Sequence, residues 1–272
     1  MAHLFQVGAG SGGMPVLDLL CRDERIHRVT LVEPDIYKPH NVERHLFALR
    51  DVGQPKAELA RQWLRQRRPD LDVQLLLCDL TDPLHQGAIH EVLEEADLGV
   101  CAADNEEAKY HFDALMRRHG KPWTLGEVLS GGIGGFVHCF VRGGPCYGCV
   151  ASYLQRTVRV DDAPPPDYSA PGHTQAELTI PASKASIAAI ASLHALMTLE
   201  LLADPTGYRP DFTTLLWTLR RVEGVFDEAF HPYRFRIARA GDCLTCMARP
   251  TPASLEDLDV ALDEALARLA DV

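Results

Sequence analysis

Val7-Gly8-Ala9-Gly10-Ser11-Gly12-Gly13 follows the apolar run Leu4–Val7 and leads into the helix-forming stretch Pro15–Leu20. The order is strand, glycine turn, helix, and the glycines fall in a G-x-G-x-x-G pattern. Each has a separate physical reason. Gly8 permits the tight turn, Gly10 lets the backbone approach a phosphate, and Gly13 allows the helix to pack closely on the strand. The free N–H groups at the start of the following helix favour an anion. A second apolar run, Arg28–Val32, ends at Glu33. A carboxylate there, about twenty residues past the glycines, can hold a ribose hydroxyl. By itself Glu33 is equally readable as a solvated acid.

Outward from this βαβ opening the pattern repeats. A helix is expected within 52–66, a strand over 72–77, a helix over 82–95, a strand over 98–102 and a helix over 106–119. Strands at 123–125 and 135–141 follow, with further strands at 213–219 and 233–237. Alternating strands and helices predict an α/β fold with a largely parallel central sheet flanked by helices. Near residue 156 the pattern stops. Asp161-Asp162-Ala163-Pro164-Pro165-Pro166 opens a proline-rich crossover that cannot build a core. Ser183 then reads as an N-cap for an Ala/Leu/Ile/Met-rich helix to about residue 202, apolar on nearly all sides and so expected to be buried. The tail 254–269 is amphipathic.

The chain has 272 residues, 46% hydrophobic and 24% charged, with a formal net charge of −11. This balance argues against nucleic acid or an anionic membrane as the main partner. No segment is expected to be long and apolar enough to span a bilayer, and the first residues lack signal-peptide order, so a cytoplasmic location is the default. Of eight cysteines, Cys21, Cys78, Cys101 and Cys139 are single. Cys146/Cys149 and Cys243/Cys246 form two Cys-x-x-Cys pairs. Two such knuckles offer four thiolates, the closed tetrahedral set of a structural Zn²⁺ site. A pair of redox dithiols is the competing reading.

Several further segments make a pattern in order. Glu33-Pro34-Asp35 and Asn41-Val42-Glu43-Arg44-His45 are followed by Gly53-Gln54-Pro55-Lys56-Ala57, then by Asp104-Asn105 at a strand end, then by the two cysteine pairs. Over roughly residues 4–250 this resembles the ThiF/MoeB/E1 family of adenylyltransferases, with its acid pair, S-N-L-x-R-Q, G-x-x-K-A and D-N segments. Glu33 stands where the family usually has Asp, and His45 where it has Gln. The resemblance implies a Rossmann-like domain over 1–272, with a nucleotide-binding half to about residue 155, a crossover at about 156–182 and a C-terminal portion beyond.

The resemblance also implies ATP, Mg²⁺ and Zn²⁺. Gly8, Gly10, Gly13, Glu33, Asp35, Asn41 and Asn105 would bind the nucleotide together with Arg44, Lys56 and Asp104, and these last three would act in the chemistry. Adenylylating a carboxylate releases pyrophosphate. Arg44 and Lys56 supply positive charge, Asp104 suits Mg²⁺, and no general base is needed because the attacking carboxylate is already ionised. Taken singly, Arg44 and Lys56 are readable as solvated helix charges, and Asp104 as a helix cap. The implied substrate is the C-terminal carboxylate of a ubiquitin-like or sulfur-carrier protein ending in glycine, or of a peptide. The implied assembly is a homodimer or a heterodimer with another E1-like chain, with an E2-like protein or sulfurtransferase as acceptor.

Three departures stand out. The family's preceding helical segment, which in several members lends an arginine to the other subunit's ATP, is not among these residues, and its place is left open. Ser11 replaces a common glycine. The crossover carries no cysteine, so the chain is expected to stop at the adenylate. The competing functions are a non-catalytic pseudo-E1 scaffold and an NAD-dependent oxidoreductase using the same glycines.

Overall fold

The computed structural model describes residues 1–154 and 182–247. Nearly all of the expected proline-rich crossover and the whole of the amphipathic tail 254–269 lie outside the described residues.

Strand β1, Ala2–Val7, is buried along its whole length. Its neighbours are β2, Ile26–Val32, and β4, Leu98–Cys101. With β3, Asp72–Leu76, and β5, Trp123–Val128, they make a parallel run in the order β3-β2-β1-β4-β5. The order reverses between β1 and β4. A crevice therefore opens at their carboxyl ends, where the glycine turn and Asp104 both lie.

The sheet then changes hand. Strand β6, Gly134–Phe140, returns antiparallel to β5 through the short turn Leu129–Ile133, which leaves no length for a crossover helix. Strands β7, Thr214–Thr218, and β8, Pro232–Phe235, extend it antiparallel to the edge. The sheet is thus mixed, and the parallel description holds for the half that carries the glycine turn.

Helices α1, Gly13–Leu20, α2, Lys56–Arg65, and α6, Lys184–Ala203, accompany a core with Leu4, Val29, Leu31, Met14, Leu17, Ile190 and Leu201. Helices α3, Gln86–Glu95, α4, Glu106–Arg118, and α5, Tyr147–Tyr153, accompany a second core with Phe5, Ile89, Phe112, Met116, Trp123 and Val150. Adjacent residues Leu4 and Phe5 enter opposite cores, as strand alternation requires. In the second core Trp123 stacks on Phe140 at 3.9 Å and meets Phe112 edge-on at 5.1 Å.

Three details differ from the sequence expectation. The helix expected from residue 82 begins as a 3-10 turn, Pro83–His85, with Asp82 accepting the Leu84 N–H, and the α-helix starts at Gln86. Helix α5, beginning immediately after Cys146, carries no distinct periodic signal and is missed. And α6 is after all long and apolar enough to cross a membrane, with a mean hydropathy of 1.7. Its apolar surface is spent on the sheet: it packs on α1, β5 and β6 and buries Ile187, Ile190, Met197 and Leu201. Ser183 caps it as expected, accepting the Ser186 N–H.

A buried charge ties α4 to β5. Lys109 Nζ donates to Glu106 at 2.8 Å and to Glu127 at 2.7 Å, and its side chain is 7% exposed. Burial opposes the ammonium, but Glu127 and Glu106 outweigh it and its pKa lies above the ordinary lysine value. The second Glu127 oxygen lies 3.0 Å from His138 Nε2, and the His138 Nδ1 is 2.9 Å from Thr214 Oγ1, so the link crosses β5, β6 and β7. Lys109→Ala takes the ammonium from Glu127, whose side chain is 12% exposed, and is expected to destabilise the fold by up to about 3 kcal/mol, whereas Lys109→Met combined with Glu127→Gln should cost less. Urea denaturation checks this, and equal stabilities for wild type and Lys109→Ala would refute it.

Candidate functional site

The turn after β1 is built on exclusion. Gly8 has φ +90°, and a Cβ there would sit 2.6 Å from the Ala102 carbonyl oxygen at the end of β4. A Cβ at Gly13 would collide with the Gly8 carbonyl. Fully buried Gln6 spans the turn, its amide donating to the Gly8 and Gly13 carbonyls at 3.0 Å each. Gly10 is different. A Cβ there would meet nothing within 4 Å, so its backbone faces open space.

Glu33 closes the turn from the β2 side. One carboxylate oxygen accepts the Ala9 N–H at 2.6 Å and the other the Asp35 N–H at 3.0 Å. Burial pushes its pKa up, opposed by the Lys56 charge and by these two N–H donors. Each oxygen retains a further acceptor lone pair, so a ribose hydroxyl could still be held. Lys56, the first residue of α2, is buried and pairs with Asp35 at 2.6 Å. The acid pair and Lys56 thus form one cluster against the glycine turn.

His45, where the resembling family has Gln, does more than the sequence reading allowed. Its Nδ1 accepts the Leu46 N–H at 3.0 Å, which fixes the proton on Nε2, and Nε2 lies 2.8 Å from the Ala9 carbonyl. A glutamine amide could make the same donation. The ring stacks on Phe47 at 4.4 Å and meets the edge of Tyr37 at 5.2 Å. Gln6 and His45 are the two bracing residues the sequence did not single out. A polar residue inside the apolar run Leu4–Val7 was the available sign of Gln6.

The remaining residues are placed as follows. Asn41 accepts the Lys38 N–H through its side chain and the Arg44 N–H through its carbonyl, so it shapes the turn that presents Arg44. Arg44 lines an open cleft of about 590 Å³, shared with Glu43, Gly131, Lys184 and Arg220. Its guanidinium has no ion-pair partner among the described residues. The α4 cap is Asn105, which accepts the Ala108 N–H at 2.7 Å, and not its neighbour Asp104. Asp104 is exposed at the end of β4, and its carboxylate is unpaired among the described residues.

The two cysteine pairs meet. The four Sγ atoms lie within 4.8 Å of one another, with Cys146–Cys149 at 3.7 Å and Cys146–Cys243 and Cys149–Cys246 at 3.6 Å. A regular tetrahedron with Zn–S bonds of about 2.3 Å has edges of about 3.8 Å. A disulfide would bring two sulfurs to about 2.0 Å. The set therefore fits a closed zinc tetrathiolate, and none of the four sulfurs is in a disulfide. The Ala240 N–H points at Cys149 Sγ at 3.4 Å. Arg117 pairs with buried Asp113, which also accepts the Tyr147 N–H, and reaches the Thr245 carbonyl, so it joins the two knuckles. Its charge and that of Arg239 offset the negative charge such a site carries.

Two measurements test this geometry. One zinc per chain is expected by elemental analysis, lost in Cys243→Ser with a lower thermal midpoint; a zinc-free protein with the wild-type midpoint would contradict it. The second concerns His45, whose pKa burial pushes down from 6.5 to about 4. Between those values the unfolded chain holds the extra proton. The stability contributed by the neutral ring is complete above pH 6.5 and lost as pH falls towards 4, by up to about 3 kcal/mol. His45→Gln keeps a donor to Ala9 without that titration. Its stability should fall less than the wild type's over this window, and parallel pH profiles would show that His45 is not the group responsible.

Comparison with known proteins agrees with this arrangement. The model of the ThiF family matches residues 1–234. The sulfur carrier protein adenylyltransferase of Thermus thermophilus is 32% identical over 203 residues, covering 72% of this chain and 69% of that protein. The SAMP-activating enzyme E1 of Haloferax volcanii is 30% identical over 145 residues, 53% of this chain but only about half (51%) of that protein. Among solved structures, Escherichia coli MccB superimposes with a TM-score of 0.68 over 93% of this chain and 67% of its own, at 19% identity, a likeness of fold alone. On the family match and the Thermus relative together, the chain belongs to the ThiF family of E1-like, ATP-dependent adenylyltransferases.

Proposed function

We propose that this chain uses Mg-ATP to adenylylate the C-terminal carboxylate of a sulfur-carrier or ubiquitin-like protein, releasing pyrophosphate. The observation that supports this most is the crevice between β1 and β4. The open glycine turn and Asp104 lie there, the acid pair and Lys56 brace the turn, and Arg44 lines a cleft linked to it through Lys184 and His45; Arg44 and Asp104 are in no ion pair among the described residues. An NAD-dependent oxidoreductase would use the glycine turn and Glu33 but has no role for Arg44, Lys56 and Asp104 together, and neither has a scaffold that binds no nucleotide.

In this reading the backbone at Gly10 approaches the phosphates and Glu33 accepts a ribose hydroxyl. The carrier's carboxylate attacks the α-phosphorus, the bond to the bridging oxygen breaks, and pyrophosphate leaves. Arg44 meets the charge growing on the leaving group with a planar donor fork, and Lys56, oriented by Asp35, adds a compact charge. Asp104 would hold Mg²⁺, which shields phosphate oxygens when bound. The chemistry is mainly alignment and charge neutralisation, so it needs none of the buried histidines as a base.

The four-cysteine cluster, read as zinc, has no open position for substrate and acts on stability. The names of the relatives support a carrier-type substrate, and the family resemblance implies a homodimer or a heterodimer with another E1-like chain. The crossover sequence 161–179 holds no cysteine. The activated carboxylate would then pass to a separate thiol, E2-like protein or sulfurtransferase.

The test is pyrophosphate exchange into ATP by the full chain with small carriers ending in Gly-Gly. Exchange should depend on carrier and Mg²⁺, and Asp104→Ala should lower it by roughly a hundredfold or more with the fold intact. Full exchange in that variant would remove Asp104 from the mechanism, and no exchange with any carrier or peptide would count against the activity.

A further inference from the structure

The cleft beside Arg44 is cationic in a chain whose net charge is −11. Three separate segments converge on it: Arg44 from the turn after β2, Lys184 from the start of α6, and Arg220 from the turn after β7. Glu43 is the only acid in its lining among the described residues. Elsewhere some cations are neutralised, with Arg22, Arg25, Arg28, Lys56, Lys109 and Arg117 in ion pairs, and others, among them Lys38, Arg65, Arg118 and Arg142, are in none among the described residues, so it is the convergence of three on one opening that sets this cleft apart. Arg44, Lys184 and Arg220 are in none among the described residues. Three unpaired positive groups around one opening of about 590 Å³ repel one another, an arrangement that an anion relieves.

The cleft is joined to the glycine turn. Lys184 Nζ donates to the His45 carbonyl at 3.0 Å, and the His45 ring lies 2.8 Å from the Ala9 carbonyl. One residue therefore separates Lys184 from the backbone that faces the nucleotide. An ammonium has three donors, and this bond uses one.

We propose that Lys184 and Arg220 complete, with Arg44, a subsite for a diphosphate: the two terminal phosphates of ATP, and pyrophosphate once it has formed. This rests on ATP being the substrate. Charge selects the ligand. A single carboxylate neutralises one of the three cations, whereas the two terminal phosphates of ATP, or free pyrophosphate, together carry about three negative charges near neutral pH. The arginine forks suit phosphate oxygens bidentately, and the lysine adds a point charge from the side of the glycine turn.

The experiment is calorimetric titration of the full chain with ATP, pyrophosphate and AMP, for wild type, Lys184→Ala, Arg220→Ala, the double variant and Lys184→Arg. Each alanine variant should weaken ATP and pyrophosphate by roughly tenfold, the double variant by more, while AMP is unchanged. Lys184→Arg should recover most of the loss. Arg220 makes no side-chain bond among the described residues, so its replacement leaves the fold intact. Unchanged pyrophosphate affinity in the double variant would overturn the subsite. So would an equal loss of AMP affinity, which would mean that Lys184 acts through the His45 loop. Wild type that binds pyrophosphate through these residues but not ATP would uphold the subsite and refute adenylylation. ATP bound equally well by wild type and the double variant would refute only the subsite.

Discussion

Where β1 turns into α1 and passes the end of β4, there is no room for a side chain. A Cβ at Gly8 meets the Ala102 carbonyl, and one at Gly13 meets Gly8 itself. This contact brings the first helix, the first strand and the fourth to one point, the place where the sheet order reverses. Everything else at the site is hung from it. Gln6 ties the two glycine carbonyls together beneath the turn, Glu33 takes the Ala9 N–H from the β2 side, and the His45 ring meets the Ala9 carbonyl. Gly10, in the middle, is left with nothing over it. The backbone that would face a nucleotide is fixed by its surroundings and needs no ligand to shape it.

The antiparallel half of the sheet has a different task. The turn between β5 and β6 carries Gly131, and the chain after β7 carries Arg220. Both line the cleft opposite Arg44. The antiparallel half is itself held in two ways. The Lys109–Glu127–His138 link crosses three strands from α4, and the cysteine cluster pins α5 to the chain beyond β8, 97 residues away in sequence. Both are polar devices inside a molecule whose cores are otherwise apolar, and both depend on complete pairing: a half-satisfied buried charge is worse than none.

Local motifs made much of this legible. The glycine spacing, the apolar runs and the capping serine at 183 each encode their structure within a few residues, and the two Cys-x-x-Cys pairs announced a shared site before their positions were known. The sequence could not show what depends on pairing between distant elements. The β5–β6 hairpin was implied by a connection too short for a helix, yet apolar strands buried on both faces read alike whether parallel or antiparallel. His45 looked like a substitution for glutamine, and only its two hydrogen bonds show the same donor role in another side chain. Asp104 was readable as the cap of α4, and geometry gives that role to its neighbour Asn105. Lys184 and Arg220 lie far from every motif, and only the fold brings them beside Arg44.

The central claim is that the carboxyl edge of the parallel half is an ATP site and not a dinucleotide site, although the glycine pattern is common to both. Titrating the full chain with ATP and, separately, with NADH followed by its fluorescence tests this most directly. Saturable ATP binding with NADH fluorescence unchanged is the predicted result. Saturable NADH binding in a protein that takes up no ATP would contradict the account.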